Sequence, residues 1–313
     1  MQATAVIFQE PEQLALRRVD LAATGEADAV VDIAWSGIST GTERLLWSGR
    51  MPPFPGMGYP LVPGYESVGC IADAPASSGL KAGQMVFVPG ARCYRDVRGL
   101  FGATASRVVV PAQRLLPIDE TLGERGTLLA LAATAYHALS SPGAAKPERI
   151  VGHGVLGRLL ARVTIATGGE PPVVWERNPA RTGGACGYAV LDPAEDDSRN
   201  CRVIYDVSGD PHLLDALIAR LAPGGEIVLA GFYTEPLSFA FPPAFMREAR
   251  LRVAAEWRQE DLTAVRDLVD SGRLSLDGLI THREPAKRAA AAYGVAFDNP
   301  ACLKMVLDWS PSS

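Results

Sequence analysis

Arg149-Ile150-Val151-Gly152-His153-Gly154-Val155-Leu156-Gly157 decides the fold. A short apolar strand runs into a G-x-G-x-x-G turn, and residues 159–167 beyond it carry the pattern of a helix. That order is the phosphate-binding start of a dinucleotide-binding βαβ unit. Each glycine has a task. Gly152 permits the tight turn, Gly154 lets a pyrophosphate approach the backbone, and Gly157 lets helix and strand pack closely. The helix start offers free N–H groups and the positive end of its dipole to the phosphates. Residues 172–176 read as the next strand, and it ends on an acid, Glu176, 19 positions after Gly157. A carboxylate there binds the adenosine ribose hydroxyls and repels a 2′-phosphate, so NAD is predicted over NADP. Arg177 keeps NADP open, because an arginine at this place can hold that phosphate. The turn residues Gly152, His153, Gly154, Val155, Leu156 and Gly157, with Glu176 and Arg177, form the first predicted cofactor contacts.

Downstream, residues 202–206 and 226–230 read as strands, 212–221 as a helix, 223–225 as a turn and 261–271 as a helix. Strand and helix alternate to about residue 260, which predicts a doubly wound parallel sheet. Upstream, residues 122–139 are rich in Leu and Ala and read as a helix. Before them, short apolar runs at 29–35, 67–71, 84–88 and 107–110 are cut by glycine and proline, so a β-rich first domain is predicted. Residues 51–60, Met-Pro-Pro-Phe-Pro-Gly-Met-Gly-Tyr-Pro, must be a loop. It is apolar for a loop, which suggests that it borders a binding surface. The last forty residues return to the first domain. The predicted division is 1–122 with 268–313 as one domain and 123–267 as the dinucleotide-binding one.

The bulk properties agree with an ordinary globular protein. The chain has 313 residues, 48% hydrophobic and 21% charged, more than one core of common size needs. A net charge of −5 argues against a nucleic-acid partner. Five scattered cysteines (Cys70, Cys93, Cys186, Cys201, Cys302) form no C-x-x-C pair, so neither a disulfide framework nor a structural zinc site is expected. The first residues lack the pattern of a signal peptide, and no apolar run reaches the roughly 20 residues of a membrane span. A cytoplasmic protein is the expectation.

Several motifs carry a resemblance. Ser36-Gly37-Ile38-Ser39-Thr40-Gly41-Thr42-Glu43, Val62-Pro63-Gly64-Tyr65-Glu66-Ser67-Val68-Gly69, residues 101–111, Thr134-Ala135-Tyr136-His137-Ala138-Leu139 and Leu303-Lys304-Met305-Val306-Leu307 occur in the order of the medium-chain dehydrogenase/reductase superfamily, which the chain resembles over nearly its whole length. The resemblance implies a GroES-like catalytic domain joined to a Rossmann domain. It also implies further cofactor contacts from Thr134, Ser208, Gly209, Gly231, Phe232 and Lys304, the last reaching the pyrophosphate. Members are often dimers joined through the cofactor-domain sheet, so a homodimer is expected by analogy.

The departures from that family are informative. Zinc-dependent members place a cysteine where this chain has Ser39 and a histidine where it has Tyr65, and the third ligand falls near Ala130 or Leu131. A catalytic zinc needs three ligands such as His or Cys, so a site without metal is predicted. This zinc-less pattern is similar to the branch of the superfamily that oxidises the 3-(1-hydroxyethyl) group of a chlorin to acetyl with NAD, which implies a large, flat pigment precursor as substrate. Oxidation of a secondary alcohol still releases a proton, and hydroxyl donors with a base must handle it. The candidates are Ser39, Thr40, Thr42, Tyr65, Glu66 and His137, the last as a relay base near neutral pH. Two alternatives stand beside this: a zinc-less quinone or enone reductase using NAD(P)H, and a non-enzymatic NAD(P)-sensing protein.

Overall fold

Alternating strands build the first part of the chain. Its strands are β1 (Gln2–Glu10), β2 (Gln13–Asp20), β3 (Asp28–Ile38), β4 (Leu61–Val62) and β5 (Ser67–Asp73). They continue with β6 (Met85–Val88), β7 (Arg98–Gly99), β8 (Arg107–Pro111) and β9 (Leu116–Pro117). Helix α1 (Thr40–Trp47) follows β3 directly. The computed structural model describes every residue except Phe54, Ala255 and 311–313, and the chain divides into two units, Met1–Ala130 with Asp277–Ser313 and Leu131–Leu276.

The second unit holds α2 (Leu129–Ser140), which starts at its border, β10 (Arg149–Val151), α3 (Val155–Ala166), β11 (Val173–Trp175) and β12 (Ala189–Leu191). Then come β13 (Cys201–Asp206), α4 (Leu214–Ile218), β14 (Leu221–Leu229), α5 (Phe241–Met246), β15 (Arg250–Val253) and α6 (Gln259–Asp270). All six strands are parallel, in the order β12-β11-β10-β13-β14-β15. Counted from β10 that is 3-2-1-4-5-6, the doubly wound order whose strand ends carry dinucleotides. The chain then closes the first unit with β16 (His282–Pro285), α7 (Ala289–Asp298) and β17 (Met305–Asp308). Strand β17 pairs antiparallel with β3, giving the sheet order β16-β17-β3-β5-β6-β9 with β8 beside β3. A smaller sheet runs β2-β1-β4-β7. Phe8, Ile38, Leu46, Leu61, Tyr293 and Leu307 form the core that backs α1.

The fold corrects several readings of the sequence. Residues 122–139 are not one α-helix. A 3₁₀ segment, Glu120–Leu128, precedes α2, because Gly123 takes φ 52° and ψ −134°. The helix expected at 212–221 is only α4. The turn at 223–225 is a bulge inside β14: Cys201 pairs with Leu221 and Val203 with Glu226, so the residues between loop out. Regular alternation also fails on one side of β10. The link from β11 to β12 holds only the 3₁₀ turn Pro179–Arg181, and no helix joins β12 to β13 among the described residues. A buried polar cluster occupies that link. Arg158 donates to the carbonyls of His153 (3.0 Å) and Arg181 (2.9 Å). His153 donates through Nδ1 to Arg181 O at 2.6 Å and accepts the Tyr188 O–H at Nε2, 2.8 Å away.

The loop at 51–60 is a loop apart from Phe54, which lies outside the described residues. Its apolar side chains Met51, Met57 and Tyr59 pack on the core behind α1. The Tyr59 hydroxyl donates to Leu46 O, and Arg98 donates to Met57 O at 3.0 Å.

Candidate active site

Two groups of predicted residues assemble, one in each unit. In the first unit β3 ends at Ile38 and Ser39 is the N-cap of α1. Its hydroxyl does not cap the helix. It meets the Tyr65 hydroxyl at 2.6 Å, and Thr42 Oγ1 lies 3.3 Å from the same phenol. Thr40 opens α1, half-buried. Tyr65 is set by the chain before it. Gly64 has φ 97°, and a Cβ there would lie 1.9 Å from Thr104 Oγ1, so only glycine lets this segment pass. The Tyr65 ring stands edge-on to Phe101 at 4.9 Å. Burial, with the Glu66 carboxylate second, pushes the phenol well above its ordinary value. Tyr65 is therefore a hydrogen-bond donor at neutral pH and not a phenolate base.

Behind these hydroxyls lie charged groups that meet no water. Glu66 is fully buried and Lys304 is 1% exposed, and the ammonium sits on Glu66 Oε2. Gly37 makes room for the pair: a Cβ there would lie 2.7 Å from Glu66 Oε2 and 2.9 Å from Lys304 Cε. Lys304, expected at a pyrophosphate, thus has a carboxylate of its own unit as partner, because a lone ammonium could not stay buried. Glu66 is accordingly an ion-pair member, raised from its ordinary value by burial and lowered in turn by Lys304. The sequence reading gave no role to Glu43 or Tyr293. Glu43 Oε1 accepts the Ser39 N–H at 3.0 Å, and Oε2 accepts the Tyr293 hydroxyl.

In the second unit the glycine turn joins β10 to α3. Gly152 takes φ 99°, which favours glycine. A Cβ on Gly157 would lie 1.9 Å from Gly152 O, whereas a Cβ on Gly154 would meet nothing within 4 Å. The protein leaves this cradle open, and Gly154, the N-cap of α3, carries no side chain to fill it. That fits a pyrophosphate on the helix start. The Glu176 carboxylate accepts the backbone N–H of His153 at 2.9 Å and of Asn178 at 2.8 Å. Each oxygen keeps a lone pair for a ribose hydroxyl. Val155 is buried and Leu156 half-buried in the first turn of α3. The His153 side chain is fully buried; burial lowers its imidazole to about 4, so it is neutral. Arg177 is exposed, with Asp210 Oδ2 at 4.0 Å.

Ser208 and Gly209 follow β13, and the Ser208 hydroxyl donates to Asp206 Oδ1 at 2.6 Å. Gly231 follows β14 and donates to Asp206 O at 3.1 Å, and the Phe232 side chain is exposed. Thr134 is half-buried in α2. His137, on the same helix, hydrogen-bonds Asp261 Oδ2 at 2.7 Å, and that oxygen also accepts the Arg258 N–H that starts α6. The geometry gives His137 the work of joining α2 to α6.

The donor set does not fit a catalytic zinc. The hydroxyls at the two positions where the resemblance implies zinc ligands in zinc-dependent members hydrogen-bond each other, and neither a serine hydroxyl nor a protonated phenol is a good zinc donor. Among the described residues no three His, Cys, Asp or Glu gather where they could hold a metal ion. Nor is any described helix long and apolar enough to cross a membrane.

Known proteins agree with this architecture. Residues 25–120 match the alcohol dehydrogenase GroES-like domain. The chain is 58% identical to 2-desacetyl-2-hydroxyethyl bacteriochlorophyllide A dehydrogenase of Rhodobacter capsulatus over 310 residues, 99% of both chains. It is equally 58% identical to the protein of that name from Cereibacter sphaeroides, again over 99% of both. The solved acetophenone reductase of Geotrichum candidum in complex with NAD superposes with a TM-score of 0.82 at 16% identity, over 98% of this chain and 97% of the other. The chain is a dehydrogenase and belongs to the medium-chain dehydrogenase family, beside the bacteriochlorophyllide A dehydrogenases.

Proposed function

We propose that the chain oxidises the secondary alcohol of a 1-hydroxyethyl group on a bacteriochlorophyllide-type chlorin to an acetyl group, with NAD and without zinc. The observation that carries this is the 58% identity, over whole chains, to two proteins named for that substrate. A bound nicotinamide dinucleotide would supply the two-electron acceptor, held by the glycine turn and Glu176. The carboxylate of Glu176, fixed by two backbone N–H groups, supports NAD over NADP. Arg177 does not offset it, being exposed and turned toward Asp210.

The chain's own acid–base work falls to Tyr65, Ser39 and Thr42. Tyr65 meets Ser39 at 2.6 Å and Thr42 at 3.3 Å, and these hydroxyls can hold the substrate oxygen as its negative charge develops and hand its proton on to solvent. The alcohol lies next to a conjugated ring and is easier to oxidise than a simple one, so modest electrostatic help suffices. The test is NAD reduction with hydroxyethyl bacteriochlorophyllide, repeated with NADP and after metal chelation. No turnover of the chlorin sinks the substrate, a preference for NADP sinks the reading of Glu176, and stoichiometric zinc with loss of activity on chelation sinks the hydroxyl mechanism.

A homodimer through the edge of the second unit's sheet is part of the same reading. Strand β15 ends that sheet and exposes Leu251 and Val253, and α5 exposes Phe241, Phe245 and Met246. An unpaired edge beside so much apolar surface is a natural place for a second copy.

A further inference from the structure

Glu43 is a fully buried carboxyl that the chemistry above leaves without a task. The same core holds a second buried carboxyl, Glu66, and one buried ammonium, Lys304, which lies against Glu66. Glu43 therefore has no ion pair of its own among the described residues. Both of its oxygens are engaged, one by the Ser39 N–H at 3.0 Å and the other by the Tyr293 hydroxyl. Ser39 is in turn the residue whose hydroxyl meets Tyr65 at 2.6 Å. One short turn is thus tied through its main chain to a titratable group and through its side chain to the phenol.

We propose that Glu43 is a positioning residue: its carboxylate, steadied by Tyr293, holds the Ser39 main chain so that Ser39 Oγ meets Tyr65, and loss of the charge slackens that turn. The groups that face Glu43 are Ser39 at the head of α1, Tyr293 on α7, Glu66 before β5 and Lys304 before β17. Burial raises its carboxyl to about 7; Ser39, Tyr293 and Lys304 pull it down and Glu66 pushes it up. The turn then passes from slack to held as the pH rises through neutrality.

The activity readout rests on the proposed function, so a second readout is independent of it. In the wild-type protein the backbone amide proton of Ser39 and the ring signals of Tyr65, followed by NMR between pH 5.5 and 8.5, titrate together with a midpoint near 7. In Glu43→Gln both stay flat. Tyr293→Phe, which removes one partner of the carboxylate, keeps the titration and moves its midpoint up. With hydroxyethyl bacteriochlorophyllide and NAD, wild-type kcat rises through the same midpoint while KM holds. In Glu43→Gln, kcat at pH 8 falls about tenfold and that inflection is gone. A Ser39 amide that does not titrate overturns the proposal, as does an inflection that survives in Glu43→Gln. If the wild-type protein does not turn over the chlorin, the substrate falls, and the Ser39 and Tyr65 titrations still decide the role of Glu43.

Discussion

Gly154→Ala and Gly157→Ala add the same methyl group three residues apart and should differ in their effect on stability. At Gly154 the new Cβ meets no atom within 4 Å, and the backbone, at φ −72° and ψ −172°, is extended and open to any residue. Reduced freedom of the unfolded chain favours alanine by about 0.4–1 kcal/mol. The poorer N-cap opposes that by a similar amount, so stability should stay within about 0.5 kcal/mol. At Gly157 the Cβ would lie 1.9 Å from the Gly152 carbonyl oxygen, a backbone atom that cannot swing aside. Helix propensity favours alanine by about 1 kcal/mol, but relieving the overlap needs a backbone shift of about 1 Å, at a cost of roughly 1–3 kcal/mol or more. The net expectation is a loss of up to about 2 kcal/mol. Urea unfolding measures stability, and NADH fluorescence titration measures affinity. Gly154→Ala should fold like the wild type and bind NADH at least about tenfold more weakly, about 1.4 kcal/mol, because the methyl group takes the place of the pyrophosphate. Gly157→Ala should lose both stability and affinity. Unchanged NADH affinity in Gly154→Ala would refute a pyrophosphate on this turn, and full stability in Gly157→Ala would refute the close packing.

Other substitutions test the remaining parts. Tyr65→Phe removes the hydroxyl that Ser39 and Thr42 both meet and should lower kcat on the chlorin by about 10²–10³-fold with little change in KM; full activity would remove Tyr65 from the mechanism. Glu176→Ala should cut the preference for NAD over NADP by about tenfold in kcat/KM, and an unchanged ratio would show that another group sets it. His153 is held neutral, its folded value lowered to about 4 from the 6.5 of the unfolded chain. The unfolded state therefore binds the extra proton first, and the contribution of His153, complete above pH 6.5, is lost as the pH falls toward 4. Urea melts at several pH values should show that decline and a shallower one in His153→Gln; equal slopes would contradict the buried neutral imidazole. Val253→Lys puts a charge on the β15 edge and should shift the protein toward a monomer in sedimentation, and a wild-type protein that is monomeric throughout would remove the dimer.

What the sequence revealed depended on how far apart the partners lie. The glycine turn was legible because its constraints are local: Gly157 meets Gly152 only five residues away, and Glu176 meets His153 on the next strand. Strands β3, β5, β6 and β8 were legible for a similar reason, since each apolar run marks its own strand. The missing crossover helices were not: the β11–β12 link instead packs Tyr188 on His153 and Arg158, residue types that carry no apolar period. Charge partners were the hardest. Glu66 and Lys304 are 238 residues apart, Glu43 and Tyr293 250, and His137 and Asp261 124. No spacing rule spans such distances, so Lys304 read as a contact to the pyrophosphate and His137 as a relay base. A signal did exist for one of them. Lys304 interrupts the apolar run Cys302-Leu303-Lys304-Met305-Val306-Leu307, and a lysine inside a buried strand run demands a buried carboxylate. Glu43 and Glu66, the acids of the two motifs around the hydroxyls, are the ones the fold places there. Lys304 reaches Glu66 and leaves Glu43 without an ion pair among the described residues, and that imbalance, invisible in either motif alone, is what lets a single buried carboxyl respond to pH behind Ser39 and Tyr65.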